Sequence, residues 1–137
     1  MRYRIDYQMT HDIDWFFMYE GRAYHAASNG GLLPDFISST ENRELQVMVE
    51  DLEPVFTEKL VQDIIGIYGD EADLSTFCEF ARKGFISLDR VVLEDNDVSD
   101  AFSQYRVIAT PAEYHEFPYK EVLKRLPELS HGDIRIE

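Results

Sequence analysis

Apolar and polar residues alternate along four stretches of the first 51 residues, and this alternation predicts β-strands. Residues 2–9 place every second side chain on one apolar face, as a half-buried strand does. Residues 12–19 and 22–28 predict a hairpin that turns at Glu20 and Gly21. The segment RELQVMVED, which ends at Asp51, alternates less strictly and predicts a fourth strand.

Helical periodicity replaces the alternation in the middle of the chain. Residues 54–70 carry an apolar stripe at helical spacing, and residues 73–84 form a shorter one with Asp73 as N-cap and Gly84 as stop signal. Two further strands at 85–93 and 104–110 and a terminal helix at 119–126 complete the predicted elements. Because strands and helices come in blocks, the order predicts an α+β fold. We expect one domain, 1–137, with a largely antiparallel sheet of five to six strands and two to three helices on one face.

The net charge of the chain restricts its possible binding partners more than the predicted secondary structure does. The chain of 137 residues has a net charge of −14, of which residues 41–100 carry −11. Such a surface repels nucleic-acid phosphates and anionic lipids, so we expect neither nucleic acid nor a membrane as partner. It favours a basic protein instead.

Cysteine content and hydropathy indicate the compartment. Cys78 is the only cysteine, which rules out an internal disulfide and favours a reducing environment. No apolar run approaches the roughly 20 residues of a membrane span. We therefore expect a cytoplasmic protein, and no motif calls for a cofactor.

The predicted hairpin contains the main candidates for catalytic and ligand-binding residues. If its loop has two residues, paired residue numbers add up to 41, so that Asp14 lies diagonal to His25 and Asp12 faces Asn29. In a small hydrolase, His25 would then act as general base, Asp14 would orient it, and Asp12 with Asn29 would hold a ligand or a water. Two aspartates and one histidine are too few for a metal site.

A second register of the hairpin removes this cluster. With a three-residue loop the paired numbers add up to 40, and His25 lies opposite Trp15 in the core. We favour this register because glutamate disfavours the positive φ of a tight turn, and because Ala23 and Ala27 would then leave room for large side chains. A slip of one residue thus decides whether His25 belongs to a site or to the core.

Two other segments have weaker signals. Residues 94–100, EDNDVSD, resemble the opening of a calcium loop but lack its central glycine and closing glutamate, so an acidic turn is the better interpretation. The proline-bounded segment that contains Tyr114, His115, Phe117 and Tyr119 is rich in aromatic side chains, which are favoured in protein interfaces. These four residues are candidates for an interaction surface.

The residues do not determine a function directly. There is no nucleotide loop, no paired-cysteine metal site and no nucleophile elbow. Size, acidity and fold class resemble those of small adaptor and toxin-neutralising immunity proteins, without a shared motif. Our first hypothesis is therefore a non-enzymatic, acidic protein-interaction module, which could also form a homodimer. The alternative is the small hydrolase or ligand-binding protein built on the hairpin.

Overall fold

One sheet of seven strands with five helices makes up the described part of the chain, in an α+β arrangement. The computed structural model describes residues 1–91, 104–114 and 116–137. The strands are β1 (Asp14–Tyr19), β2 (Arg22–Ala27), β3 (Glu58–Leu60), β4 (Ile86–Arg90), β5 (Gln104–Pro111), β6 (Glu128–Leu129) and β7 (Arg135–Ile136). The helices are α1 (Ile5–Thr10), α2 (Ser39–Glu50), α3 (Ile64–Tyr68), α4 (Ser75–Arg82) and α5 (Lys120–Leu123).

The strands lie in the order β3-β5-β4-β2-β1-β6, and β7 also pairs with β5. The sheet is largely antiparallel, through the pairs β1–β2, β4–β5 and β3–β5. The parallel pair β2–β4 joins the N-terminal hairpin to the C-terminal half of the sheet. The predicted fold class is therefore confirmed, while the short strands β3, β6 and β7 were not predicted.

Both faces of the hairpin are buried. Trp15 and Phe17 point into a core that includes Leu88 and Tyr105, on the side covered by the 31–37 segment and the C-terminal residues. Phe16 points to the opposite face, into a core shared with α2 and α5. A sheet covered on both sides has no solvent-facing strand positions in its centre, so alternation of polarity does not reveal its register.

The hairpin turns through two residues, and the favoured register was wrong. Tyr19 pairs with Arg22 and Asp14 with Ala27, so that paired numbers add up to 41. Glu20 adopts a φ of 50° and Gly21 a φ of 78°, both in the left-handed region. This conformation of a glutamate costs about 1–3 kcal/mol, and the packing of the aromatic residues on the two faces compensates for it.

Two predicted strands are helices in the structure. The 2–9 segment contains α1, whose buried residue Gln8 donates to the Tyr3 carbonyl oxygen and accepts from the Leu33 amide, at 2.9 and 2.7 Å. The 43–51 segment lies in α2, which buries Leu45 and Val49, one helical turn apart. These tertiary contacts outweigh a weak local preference for strand.

The predicted helix at 54–70 is divided. Its first part forms β3, which pairs with the end of β5, and only Ile64–Tyr68 is helical. Asp63, between the two, has a left-handed φ of 66°, which a continuous helix does not allow. The extents of the other elements hold: α4, β4, β5 and α5 lie within the predicted ranges, apart from Pro111 at the end of β5. The N-cap of α4 is Leu74 and not Asp73 as predicted. Residues 92–93 and the acidic 94–100 segment fall outside the described residues.

Candidate functional site

Asp14, His25 and Ser87 form a chain of hydrogen bonds across three neighbouring strands. His25 Nε2 lies 2.7 Å from Asp14 Oδ1, and His25 Nδ1 lies 2.6 Å from the Ser87 hydroxyl oxygen. The register of β1 and β2 places Asp14 diagonal to His25, and the parallel pairing with β4 places Ser87 directly beside it. The two-residue turn predicts Asp14 and His25 as partners, whereas no local pattern in the sequence indicates Ser87.

The chain of hydrogen bonds is closed to solvent at the end where a nucleophile would stand. His25 and Ser87 are fully buried, and only the Asp14 side chain reaches the surface, with an exposed fraction of 35%. The Phe80 ring stacks on the imidazole with 3.9 Å between ring centroids. A general base needs a free nitrogen within hydrogen-bond reach of the substrate, and both nitrogens of His25 already have partners.

One neutral tautomer satisfies the three side chains. A carboxylate at Asp14 accepts from Nε2–H, and Nδ1 then accepts from the Ser87 hydroxyl. Buried polar groups with complete hydrogen bonding stabilise a unique packing, whereas unpaired ones are costly. The geometry therefore explains how a histidine can lie in this core.

Asp12 and Asn29, the proposed ligand-holding residues, also meet. Asp12 Oδ1 accepts from the Asn29 backbone amide at 2.8 Å, at the point where the chain leaves β2. Asn29 has a left-handed φ of 44°, and Gly30 follows with 79°. The Asp12 carboxylate thus stabilises a turn by bonding its backbone, and both side chains are exposed.

Asp89 and Tyr68 extend the polar cluster beyond the residues predicted from the sequence. Asp89 lies two residues after Ser87 in β4, and the Tyr68 hydroxyl donates to Asp89 Oδ2 at 2.8 Å. Burial raises the pKa of the Asp89 carboxyl, and the nearby Asp12 charge adds to this effect. Burial and then the bond to Asp89 raise the pKa of Tyr68 to about 12. The sequence signal that indicates such a site is the pair Ser87 and Asp89, two polar side chains on the same face of a strand that is otherwise apolar up to Arg90.

Neither a metal site nor an activated thiol is present in the described ranges. No group of three or more histidine, cysteine, aspartate or glutamate side chains in 1–91, 104–114 and 116–137 is arranged to hold a metal ion. Cys78 is partly buried, and burial raises the pKa of its thiol, with the Glu58 charge as a smaller cause. A raised pKa disfavours the thiolate, which is the reactive form.

The aromatic segment before α5 divides between surface and core. Tyr114 is 68% exposed, with the Arg22 guanidinium carbon 4.4 Å from its ring centroid. Phe117 is buried, 4.9 Å from the Phe85 ring, and the Tyr119 hydroxyl donates to the Glu53 carbonyl. Of the four surface candidates, Tyr114 presents its ring to solvent, Phe117 belongs to the core, and His115 lies outside the described residues.

A cavity of about 240 Å³ opens beside Tyr114. It lies between the ends of β2 and β5, and its walls include Arg22 and Phe117. Asp14 and His25 do not line it.

Comparisons with known proteins do not assign the chain to a family or to a class of protein. No known protein family, no curated protein and no solved structure is significantly similar to it. In the part of the chain that the structure describes, no helix has the length and apolar character needed to cross a bilayer.

Proposed function

We propose that this protein is a non-enzymatic, acidic interaction module that binds a basic protein segment. The observation that supports the proposal is an exposed surface, here named the acidic patch, on α3 and the connection to α4. It combines four exposed carboxylates with two exposed isoleucines. The patch consists of Asp63, Ile65, Ile67, Asp70, Glu71 and Asp73.

No ion pair between residues that the structure describes involves a carboxylate of the acidic patch. The ion pairs found among the described residues involve other acids, for example Glu58 with Arg82 at 3.1 Å and Glu79 with Lys83 at 3.5 Å. Asp73 accepts from the Ser75 backbone amide and hydroxyl, and these bonds lower the pKa of its carboxyl. Uncompensated charge of one sign attracts a partner of the opposite sign and accelerates the encounter.

Exposed apolar side chains within the acidic patch supply the second component of binding. Ile65 is 40% exposed and Ile67 56% exposed, while Ile64 between β3 and the rest of α3 is buried. Apolar area removed from water contributes roughly 25 cal/mol per Å². A partner segment that carries both cations and apolar side chains would use both components. Two copies of the patch would repel each other, so the proposed partner is a different chain rather than a second copy.

The enzyme hypothesis has less support, because His25 and Ser87 are enclosed and both imidazole nitrogens are occupied. The proposed compartment is the cytoplasm, since Cys78 is the only cysteine and a reducing compartment keeps it a thiol.

A titration with defined peptides tests the proposal. The probes are a helical peptide of lysine and leucine, a lysine–serine peptide of equal charge and a glutamate–leucine peptide. We expect affinity in the order lysine–leucine, lysine–serine, glutamate–leucine, and weaker binding as salt rises, because salt shortens the Debye length.

Matched variants locate the surface. The double variant Asp70→Asn with Glu71→Gln should weaken both lysine peptides roughly threefold to tenfold. Ile67→Ser should weaken the lysine–leucine peptide alone. The control, Asp35→Asn with Glu128→Gln, changes two exposed carboxylates outside the acidic patch and should leave binding unchanged. Equal losses in the control and in the patch variant would contradict the proposal.

A further inference from the structure

The cavity beside Tyr114 occupies a gap in the sheet at the start of β4. Pairing between β2 and β4 begins at Tyr24 opposite Ile86, and pairing between β4 and β5 begins at Ser87 opposite Ala109. The first residues of β2 and the last residues of β5 therefore extend beyond the first residue of β4. Strand β4 does not continue between these two segments, and the cavity occupies the space that it leaves. We name this cavity the notch.

Gly84 shapes the notch because the chain leaves the sheet there. Its φ of 107° is unfavourable for any residue with a side chain. A Cβ atom at this position would lie 3.2 Å from Phe117 Cδ1 and 3.1 Å from Phe56 Cε2. Glycine thus allows the Phe117 ring to approach the backbone and to form one wall.

The interior of the notch is apolar, whereas its rim is charged. The apolar lining consists of Met18, Ala23, Ile86, Pro111, Phe117 and Leu123. The charged side chains that line it are Arg22, Glu113 and Glu116. Arg22 makes no ion pair with any described residue, although its guanidinium group stacks on the Tyr114 ring. Charges of both signs at one opening suit a zwitterionic ligand, whose two charges can each pair with an opposite one.

Size further restricts the ligand. The volume of about 240 Å³ lies below the range of roughly 300–1,000 Å³ that is usual for drug-sized ligands. It suits a molecule with one compact apolar group and a small polar head. Pockets of this kind bind through apolar walls and gain orientation from a few polar groups.

From these properties we propose that the notch binds a free apolar α-amino acid. The carboxylate would bind the Arg22 guanidinium, whose parallel N–H groups match two carboxylate oxygens. The ammonium group would bind the Glu116 carboxylate, and the aliphatic side chain would fill the space between Ile86 and Leu123. This site shares no residue with the acidic patch, so it is independent of the proposed function.

Calorimetric titration with L-leucine and three analogues tests each part of the assignment. N-acetyl-L-leucine lacks the ammonium charge, L-leucinamide lacks the carboxylate, and glycine lacks the apolar side chain. We expect saturable binding of L-leucine and at least tenfold weaker binding of each analogue. No binding of L-leucine at millimolar concentration would overturn the proposal, and so would equal binding of L-leucinamide, which would indicate a site for amines.

Two pairs of variants connect the binding to the rim. Arg22→Gln and Glu116→Gln change exposed side chains, so both proteins should keep the far-UV circular dichroism of the wild type. Each should lose at least tenfold in L-leucine affinity. The controls Arg43→Gln and Glu128→Gln, also exposed and outside the lining, should bind as the wild type does. Unchanged L-leucine affinity in the two rim variants would overturn the proposal. The acidic-patch variant should bind L-leucine as the wild type does, whatever its affinity for the peptides.

Discussion

His25 shows at the scale of one residue how a polar side chain is accommodated in a core. Its ring lies against Phe80 and near Phe16, while its two nitrogens bond to Asp14 and Ser87. Burial of a polar ring is unfavourable unless its hydrogen bonds are complete, and here they are. The same three side-chain types occur in hydrolases, but here the hydroxyl is at the buried end and the carboxylate at the exposed end.

Substitution of this residue should therefore affect stability. We expect His25→Ala to lower the free energy of unfolding by about 2–5 kcal/mol, because it leaves a cavity and two groups without their partner. Urea unfolding followed by circular dichroism measures the loss. His131→Ala is the control, since that ring is exposed and its removal should cost less than about 1 kcal/mol. A fully stable His25→Ala protein would show that the imidazole is not a structural residue.

Helix α2 shows how a tertiary contact completes a secondary-structure element. At its start, the Ser38 hydroxyl accepts from the Glu41 amide at 3.2 Å, the spacing of a capping box. At its end, the buried Lys83 ammonium group donates to the Val49 and Glu50 carbonyl oxygens at 3.0 and 3.2 Å. The last carbonyls of a helix have no intrahelical donor and carry the negative end of its dipole.

Removal of the Lys83 charge tests this contact. Lys83→Met keeps most of the apolar stem but removes the ammonium donor from both carbonyl oxygens, of which Val49 keeps the Leu52 amide at 3.1 Å. We therefore expect a loss of about 1–3 kcal/mol in unfolding free energy. The midpoint of urea unfolding and amide hydrogen exchange in the last turn of α2 are the measurements. Lys124→Met is the matched control, because Lys124 is exposed and pairs with Glu121 on the surface. Similar midpoints for the two variants would contradict the capping role.

The elements predicted wrongly share a physical cause. Val47 is 60% exposed and Leu45 buried, so the alternation around α2 is accidental, whereas the Ser38–Glu41 capping signal was present in the sequence. In α1 the decisive contact is the Gln8 side chain with Leu33, 25 residues away. Local pattern contains no information on such a contact.

At the scale of the whole molecule, the net charge of −14 opposes the compact state. The self-repulsion acts between exposed carboxylates and is screened by salt, while the buried hydrogen bonds of His25 are not. At low ionic strength, repulsion between surface carboxylates should therefore lower the free energy of unfolding, whereas the contribution of the core should not change with salt.

Thermal unfolding at two salt concentrations tests this balance. Between about 0.01 M and 0.15 M sodium chloride the Debye length falls from about 30 Å to 8 Å, so we expect the melting temperature to rise by a few degrees. The acidic-patch variant Asp70→Asn with Glu71→Gln should melt higher than the wild type at low salt and lose part of this advantage at high salt. A lower melting temperature at high salt would mean that surface ion pairs such as Arg82–Glu58 outweigh the repulsion.

The sequence by itself determined the α+β class, the presence of a hairpin within residues 12–28, and the approximate extent of α4 and of the strands that follow it. In these segments periodicity, cap and turn signals agree, so local preferences are sufficient. Tertiary structure alone decided that α1 is a helix and which register the hairpin adopts, whereas for α2 the sequence also contained a capping signal. Both faces of the hairpin are buried, so either register hides apolar side chains. Only packing against α2, α5 and β4 makes the strained φ of Glu20 the better solution, and that packing places His25 between Asp14 and Ser87.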